Sequence, residues 1–297
     1  MALVTGGTDG IGKEVALELA KITARLIIVG RDFEKGAQAR REISASSPGC
    51  DVQFIPADLS LISEARRLGD EVAERVGALH FLVHSAGMVR GRRVLTDEAL
   101  ESNFATNYLS RFALTRRLLP ILEAGGQPDR STRILLVAHP GFSGTIHYED
   151  VNLTSNYSTI GAFRQFHFAN DVFAVELARR LKPSTGSPSV TISCLHPGPT
   201  KTSIDREMPL WMKLLARLVV HPLISRKPAA AAEAALKLLL SEEFEGQSGM
   251  LFSHVGKFRR IDVPEAAQDI NEGARLWALS EAKVRSALEQ RPAVQAA

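Results

Sequence analysis

The chain has 297 residues, of which 45% are hydrophobic and 23% charged, with a formal net charge of +3. A chain of this length buries most of its apolar surface and needs no disulfide or metal staple to fold. Acids and bases are mixed along it, with no Lys or Arg run to suggest a nucleic-acid face, and no apolar stretch of about eighteen residues suggests a membrane span.

In chain order, short apolar runs alternate with longer amphipathic ones. Ala2–Val4, Leu26–Val29, Val52–Ile55, Phe81–His84, Ile134–Val137, Val190–Leu195 and Met250–Phe252 are apolar on both faces, as strands buried between helix layers are. Between them, Ile11–Lys21, Phe33–Ser44, Ser60–Val76, Asp97–Leu122, Gly161–Lys182 and Pro228–Leu240 read as helices. This rhythm predicts right-handed crossovers and a mostly parallel sheet: one doubly wound α/β domain over 1–297. The segment Leu210–Ile224 is apolar but interrupted by Trp211, Lys213, Arg217 and His221. A substrate lid over about 203–227 is the expected reading, with contact to a membrane surface as the other. The tail after Arg291 is expected to fray. The two cysteines, Cys50 and Cys194, are far apart. Cys194 sits in an apolar run and reads as a buried thiol. Such sparse use fits a reducing, cytoplasmic setting, and no targeting peptide is legible before the first strand.

The first strand runs into Thr5-Gly6-Gly7-Thr8-Asp9-Gly10-Ile11-Gly12, and a helix follows at once. Glycines there allow a tight turn and close approach to a pyrophosphate, while the helix start offers free N–H groups. Thr5, Gly6, Thr8, Asp9, Gly10, Ile11 and Gly12 are therefore expected cofactor contacts, against the alternative of a plain strand-to-helix turn. At the end of the second strand, Arg31 pairs better with a ribose 2′-phosphate than an acid would, which favours NADP(H) over NAD. The alternative is a surface Arg beside Asp32. Asp58, with Leu59, follows the third strand, and is expected to accept from the adenine amino group, to cap the Ser60–Val76 helix, or both.

Several motifs fall in order: the Thr5-to-Gly12 turn, Ala57-Asp58-Leu59, His84-Ser85-Ala86-Gly87, Asn107 within Phe104-Ala105-Thr106-Asn107-Tyr108-Leu109, and His196-Pro197-Gly198 followed by Thr200 and Thr202. With Asp150-Val151-Asn152-Leu153 and Ser248-Gly249-Met250-Leu251-Phe252, the chain resembles the short-chain dehydrogenase/reductase superfamily, in its retinol dehydrogenase-like branch, over about residues 2–260. The resemblance implies a seven-stranded Rossmann sheet with helices on both faces. It implies cofactor contacts at Ser85, Ala86, Gly87, Asn107, His167, Pro197, Gly198, Thr200 and Thr202. It also implies pairing of copies through the helices Asp97–Leu122 and Gly161–Lys182, in a homodimer or homotetramer.

Four residues carry hydride chemistry in that family: an Asn, a Ser, a Tyr and a Lys. Asn107 matches the first and is expected to hold a water and a helix distortion. The Ser falls on His139, the Tyr on Phe163 and the Lys on His167, while His84 stands where an Asn is usual. Tyr148 and Tyr157 are no evident substitutes, since neither has a Lys four residues on. Phe163 has no hydroxyl to donate, and a lost general acid typically costs about 10²–10⁴ in rate. Phe163 and His167 share a helix face, so an aromatic, less cationic pocket with two imidazoles is expected. His139 and His167 are candidates for proton movement, with structural roles as the alternative. Phe166 and Phe168 read as packing, Arg164 as undecided, and His147 and His254 as ordinary loop residues. Met208, Leu210, Trp211 and Leu214 are expected to wall an apolar substrate site.

Three functional readings follow. The first is specialised non-redox chemistry (cyclisation, isomerisation or dehydration) on a hydrophobic carbonyl compound such as a polyketide- or terpenoid-like ketone, with NADP(H) retained. The second is an NADPH-dependent ketone or aldehyde reductase with an unusual proton donor. The third is a catalytically dead NADP(H)-binding partner protein.

Overall fold

The computed structural model describes residues 1–199 and 228–289. Eight strands form one sheet: β1 (Ala2–Thr5), β2 (Arg25–Gly30), β3 (Asp51–Pro56), β4 (Phe81–His84), β5 (Thr132–Val137), β6 (Val190–His196), β7 (Met250–Ser253) and β8 (Arg259–Ile261). Their order is β3-β2-β1-β4-β5-β6-β7-β8, with β1 to β7 parallel and β8 antiparallel to β7. The eighth strand corrects the expected seven. Its Arg259 and Arg260 are exposed, so it carries no buried apolar run to reveal it. Charged side chains on such an edge discourage further pairing.

The strands are buried on both faces because alternate residues point opposite ways. Leu3, Ile27 and Val29 join a core with Leu68, Leu114 and Phe173. Ala2, Val4, Leu26 and Ile28 join a second core with Val15, Leu19 and Leu238. The second face is covered by α1 (Gly10–Ala20), α2 (Phe33–Ser46) and α7 (Pro228–Leu240). The first is covered by α3 (Ile62–Arg75), α5 (Ser110–Glu123), α6 (Thr159–Arg180) and α9 (Ile270–Glu289). The short helices α4 (Ser102–Phe104) and α8 (Glu265–Gln268) complete the set. Among the described residues no helix is long and apolar enough to cross a membrane.

Two helix starts differ from their predicted positions because a distant or local acid caps them. Helix α3 begins at Ile62, not Ser60, and Glu98 accepts from the Ile62 N–H at 2.6 Å and the Ser63 N–H at 2.9 Å. Asp58 is therefore not its cap; its Oδ1 accepts from the Ser60 N–H in a local turn. The helix expected over Asp97–Leu122 starts at Ser102, where the Glu101 carboxylate accepts from the Asn103 and Phe104 N–H groups. A π-helical turn, Ala105–Leu109, then leads into α5. Such wide turns often mark functional positions, and this one contains Asn107.

Helix α9 was not legible in the sequence. It lies against α6, and its Ser280 shares a 2.7 Å hydrogen bond with the buried Tyr108 hydroxyl. Trp277 packs edge-on to Phe112 at 5.1 Å and near Phe173 at 6.2 Å. The guanidinium groups of Arg180 and Arg116 stand 4.0 and 5.0 Å from its ring centre. Part of the surface through which the resemblance implied pairing is thus covered by the chain's own α9. Truncating a buried aromatic of this size typically costs about 3–5 kcal/mol, and Trp277→Ala is expected to lose about that much in urea unfolding. A loss below about 1 kcal/mol would show that α9 adds little to the fold.

Candidate functional site

Strand order reverses between β1 and β4, and open α/β sheets bind ligands in the crevice at the carboxyl ends of the strands beside such a reversal. The glycine-rich turn sits there. Gly6 has φ +68°, and a Cβ on it would stand 2.7 Å from the Ala86 nitrogen; a Cβ on Gly12 would overlap the Gly6 carbonyl. The two glycines therefore let the start of α1 close onto the Ser85-Ala86-Gly87 turn. Asp9 caps α1 by accepting from the Gly10 N–H, and the first turn of α1 holds no acid. Ile11 and Gly12 are buried in that turn, and Thr8 lies beside Gly30.

The Thr5 side chain is engaged within the sheet. Its Oγ1 accepts from the Ala86 N–H at 3.2 Å and faces the Val83 carbonyl at 3.4 Å, while the Ser85 N–H donates to the Thr5 carbonyl. It ties β1 to β4 and shapes the crevice from below. Arg31 is exposed directly after β2, Asp58 is half-buried after β3, and Leu59 is buried. A turn too tight for side chains at the start of a helix and a nearby Arg fit a phosphorylated dinucleotide.

Further along the strand ends, four rings meet. His139 follows β5, Phe163 and His167 project from α6, and His196 ends β6. The His139 ring centre lies 4.0 Å from His196, 4.8 Å from His167 and 5.3 Å from Phe163. Phe163 and His167 are 4.3 Å apart, as residues four apart on a helix should be. Phe142 and Phe166 extend the cluster beyond Phe163. Phe166 and Phe168 are core residues, and His147 is exposed.

The protons on two of these rings are placed by the backbone. The His139 N–H donates to His167 Nδ1 at 3.0 Å, and the Gly198 N–H donates to His196 Nδ1 at 2.9 Å. A ring nitrogen that accepts carries no proton, so each neutral ring is protonated at Nε2. Burial pushes His139 down to about 3, helped by the nearby His196, and His196 down to about 4. Burial, with His139 and Arg111 close by, holds His167 well below the ordinary imidazole value. The three imidazoles are uncharged at neutral pH. His84 is also buried and neutral, but its Nε2 meets Thr115 Oγ1 at 2.9 Å inside the core.

None of the three tyrosines in the chain lies in this ring cluster. Tyr108 bonds Ser280, Tyr148 donates to the Glu272 carbonyl, and Tyr157 donates to the Arg90 carbonyl. The Asn107 side chain is also engaged. Its Oδ1 accepts from the Met88 N–H, and its Nδ2 donates to the Met88 and Asn103 carbonyls. Its own carbonyl accepts from Asn170 Nδ2 at 3.0 Å.

Sequence reasoning missed three members of the site. His196 was noted only as part of a motif. Asp171, fully buried on α6, accepts from the Gly141 N–H at 2.7 Å, and burial pushes its carboxyl up to about 8. Arg111 is buried on α5 and donates through Nη2 to the Ala86 and Val137 carbonyls, each at 3.0 Å, and through Nη1 to Asn170 Oδ1 at 3.3 Å. The pocket expected to be less cationic thus has a guanidinium behind it. Pro197 is buried and Gly198 turns with φ +84°. Thr200, Thr202 and the expected lid with Met208, Leu210, Trp211 and Leu214 lie outside the described residues. Among the described residues no cluster of His, Cys, Asp and Glu is arranged to hold a metal.

The family model for short chain dehydrogenases matches residues 1–213. Human retinol dehydrogenase 13 is 32% identical over 282 residues, which span 94% of this chain and 82% of that protein. A crystal structure of an uncharacterised protein from Mycobacterium paratuberculosis aligns with a TM-score of 0.73 at 27% identity, over 96% of this chain and 92% of that one. RhlG from Pseudomonas aeruginosa, solved as an NADP active-site complex, aligns with a TM-score of 0.63 at 24% identity, over 86% of this chain and 94% of that one. At that identity the likeness is one of fold.

Asp171 gives the fold a pH dependence of known sign. An acid raised from 3.8 to about 8 by folding lends its stability below the unfolded value, and that stability is lost as pH rises through the folded value. Asp171→Asn keeps an acceptor for the Gly141 N–H but has no charge to bury. Thermal unfolding from pH 4 to 8 is expected to show wild type losing stability relative to this variant. Parallel curves would show that Asp171 does not titrate in that window.

Proposed function

The chain belongs to the short-chain dehydrogenase family, among the relatives of the retinol dehydrogenases, and from that premise we propose that it holds NADP(H) and moves protons on a hydrophobic carbonyl compound. The cofactor would be held by the backbone of the Gly6-to-Gly12 turn, by Arg31 at the 2′-phosphate, by Asp58 and Leu59 at the adenine end, and by Ser85-Ala86-Gly87 and Pro197-Gly198. Supporting this are the tight Gly6-to-Gly12 turn at the start of α1, the exposed Arg31 beyond β2 and the NADP bound by RhlG on the same fold. When bound, a nicotinamide supplies a donor or acceptor of hydride.

The observation that carries the chemical reading is the uncharged His139–His167–His196 cluster beside Phe163. Reducing a carbonyl requires a proton at oxygen as hydride reaches carbon. Phe163 has none to give, and rings with values near 3 to 4 form no imidazolium at neutral pH. A neutral imidazole with its proton fixed on Nε2 can instead hydrogen-bond to a carbonyl and polarise it, the pattern by which a neutral His assists enolisation in isomerases. His167 and His196 are preset as such donors, and His139 sits between them. Phe163 keeps the pocket dry and aromatic, and Asn107 fastens the Met88 loop to the π turn. This set suits polarising the carbonyl in an enolisation, dehydration or cyclisation, with the carbon-bound proton leaving to water because the Nδ1 atoms of His167 and His196 are both taken by backbone N–H groups. At the periphery, Phe142 is 40% exposed and Ile160 67% exposed, which suits an apolar substrate, and the human relative is named for retinol.

A second reading is favoured by the family itself: reduction of a ketone or aldehyde, with an imidazole N–H steadying the developing oxyanion and water giving the proton. Incubation with NADPH and hydrophobic ketones separates the two. Product formation with unchanged nicotinamide absorbance is expected; oxidation of NADPH in step with product would establish the reductase. The double variant Phe163→Tyr with His167→Lys is expected to raise generic ketone reduction by about 10²-fold, the low end of what a positioned acid supplies. No gain in a folded variant that still binds NADPH would count against these two positions as the missing phenol and ammonium.

A further inference from the structure

Arg111 is a buried charge that the proposed chemistry leaves unused. Its guanidinium lies beneath the carboxyl ends of β4 and β5, between the crevice and the imidazole cluster. It grips Ala86, which follows the glycine-rich turn's neighbour Ser85, and Val137, two residues before His139. All its partners are neutral: two carbonyls and the Asn170 amide oxygen. Its Nε is buried and has no hydrogen-bond partner among the described residues. Its field reaches the surrounding rings, since it opposes protonation of both His84 and His167.

Among the described residues no buried group around it cancels this charge. His84 on β4, His139 after β5, His167 on α6 and His196 on β6 are all neutral at pH 7. The Cys194 thiol on β6 is pushed well up by burial, and burial also keeps Asp171 mostly protonated at that pH. Among the described residues the strand ends therefore carry one buried, unneutralised positive charge. In a region that water screens poorly, such a charge acts over several ångströms.

We propose that Arg111 makes the site select the reduced, uncharged form of its nicotinamide ligand over the oxidised, cationic form. The inference rests on the NADP(H) reading above and adds a preference that the reading does not require. The adenosine half is the same in both ligands, so the discrimination must come from the ring. A pyridinium brought to the strand ends meets the Arg111 charge, whereas a dihydropyridine does not.

The test is titration of the full chain with NADPH and with NADP⁺ by calorimetry, at low and at moderate salt. Wild type is expected to bind NADPH about tenfold or more tightly. Arg111→Met is expected to bring the two affinities within about threefold, mainly by tightening NADP⁺, while Arg111→Lys keeps the preference. Adenosine 2′,5′-bisphosphate, which lacks the ring, should bind wild type and Arg111→Met alike. Equal affinities in wild type, or an unchanged ratio in a folded Arg111→Met, overturn the inference and leave the cofactor reading standing. Binding of neither nucleotide overturns the cofactor reading and the inference with it. Should the Met variant fail to fold, Arg111→Gln, neutral but still a donor, replaces it, and the wild-type ratio decides independently.

Discussion

The His139 N–H donates to His167 Nδ1, and two residues later the Gly141 N–H donates to Asp171 Oδ2. The turn after β5 is thus hung from two successive turns of α6, with Pro140, which has no N–H, between the two bonds. This double attachment decides what the site can be. His167 faces a backbone donor, so protonating its Nδ1 would break the bond that holds His139. His139 in turn is brought within ring contact of His196 and Phe163. A lysine at 167 could not accept that N–H, and the turn would have to find another anchor. The imidazole at 167 is therefore a structural anchor as well as a member of the ring cluster.

Charge around the strand ends follows from burial. Rings that are dry and close together stay neutral. Asp171 stays largely neutral for the same reason, because one backbone N–H is too little to hold a buried carboxylate. Among the buried groups described there, Arg111 keeps its charge, since a guanidinium releases its proton only at high pH; burial lowers it to about 10. The resulting site has uncharged hydrogen-bond donors in front and a fixed cation behind. That arrangement disfavours cationic groups at the strand ends.

Much of this was legible in the sequence where the signal was local. Seven strands announced themselves as short apolar runs, and the glycine-rich turn as a strand-to-helix motif. The resemblance singled out Phe163 and His167, and helical spacing put them on one face. What remained hidden depends on contacts between distant residues. Glu98 caps α3 from 36 residues away, so the sequence around Ser60 pointed to the wrong start and to Asp58. Helix α9 has few buried residues, among them Leu276, Trp277 and Ser280, and a charged remainder, so its apolar stripe is thin. Strand β8 exists because β7 offers it an edge. The Thr5 hydroxyl joins two strands, a tie that only the pairing of β1 with β4 reveals. No sequence motif marks Arg111 or Asp171, and only the packing of α5 and α6 against the sheet shows them to be buried. His196 could have been found by asking which histidines end parallel strands, since those ends converge on one edge.

Nitrogen-15 NMR of the histidine side chains addresses the central claim most directly, because the two ring nitrogens shift differently when protonated. For His167 and His196 the expected result is a bare Nδ1 and a protonated Nε2, unchanged from pH 5 to 8. An imidazolium signal from either ring at neutral pH, or a proton on Nδ1, would contradict the account.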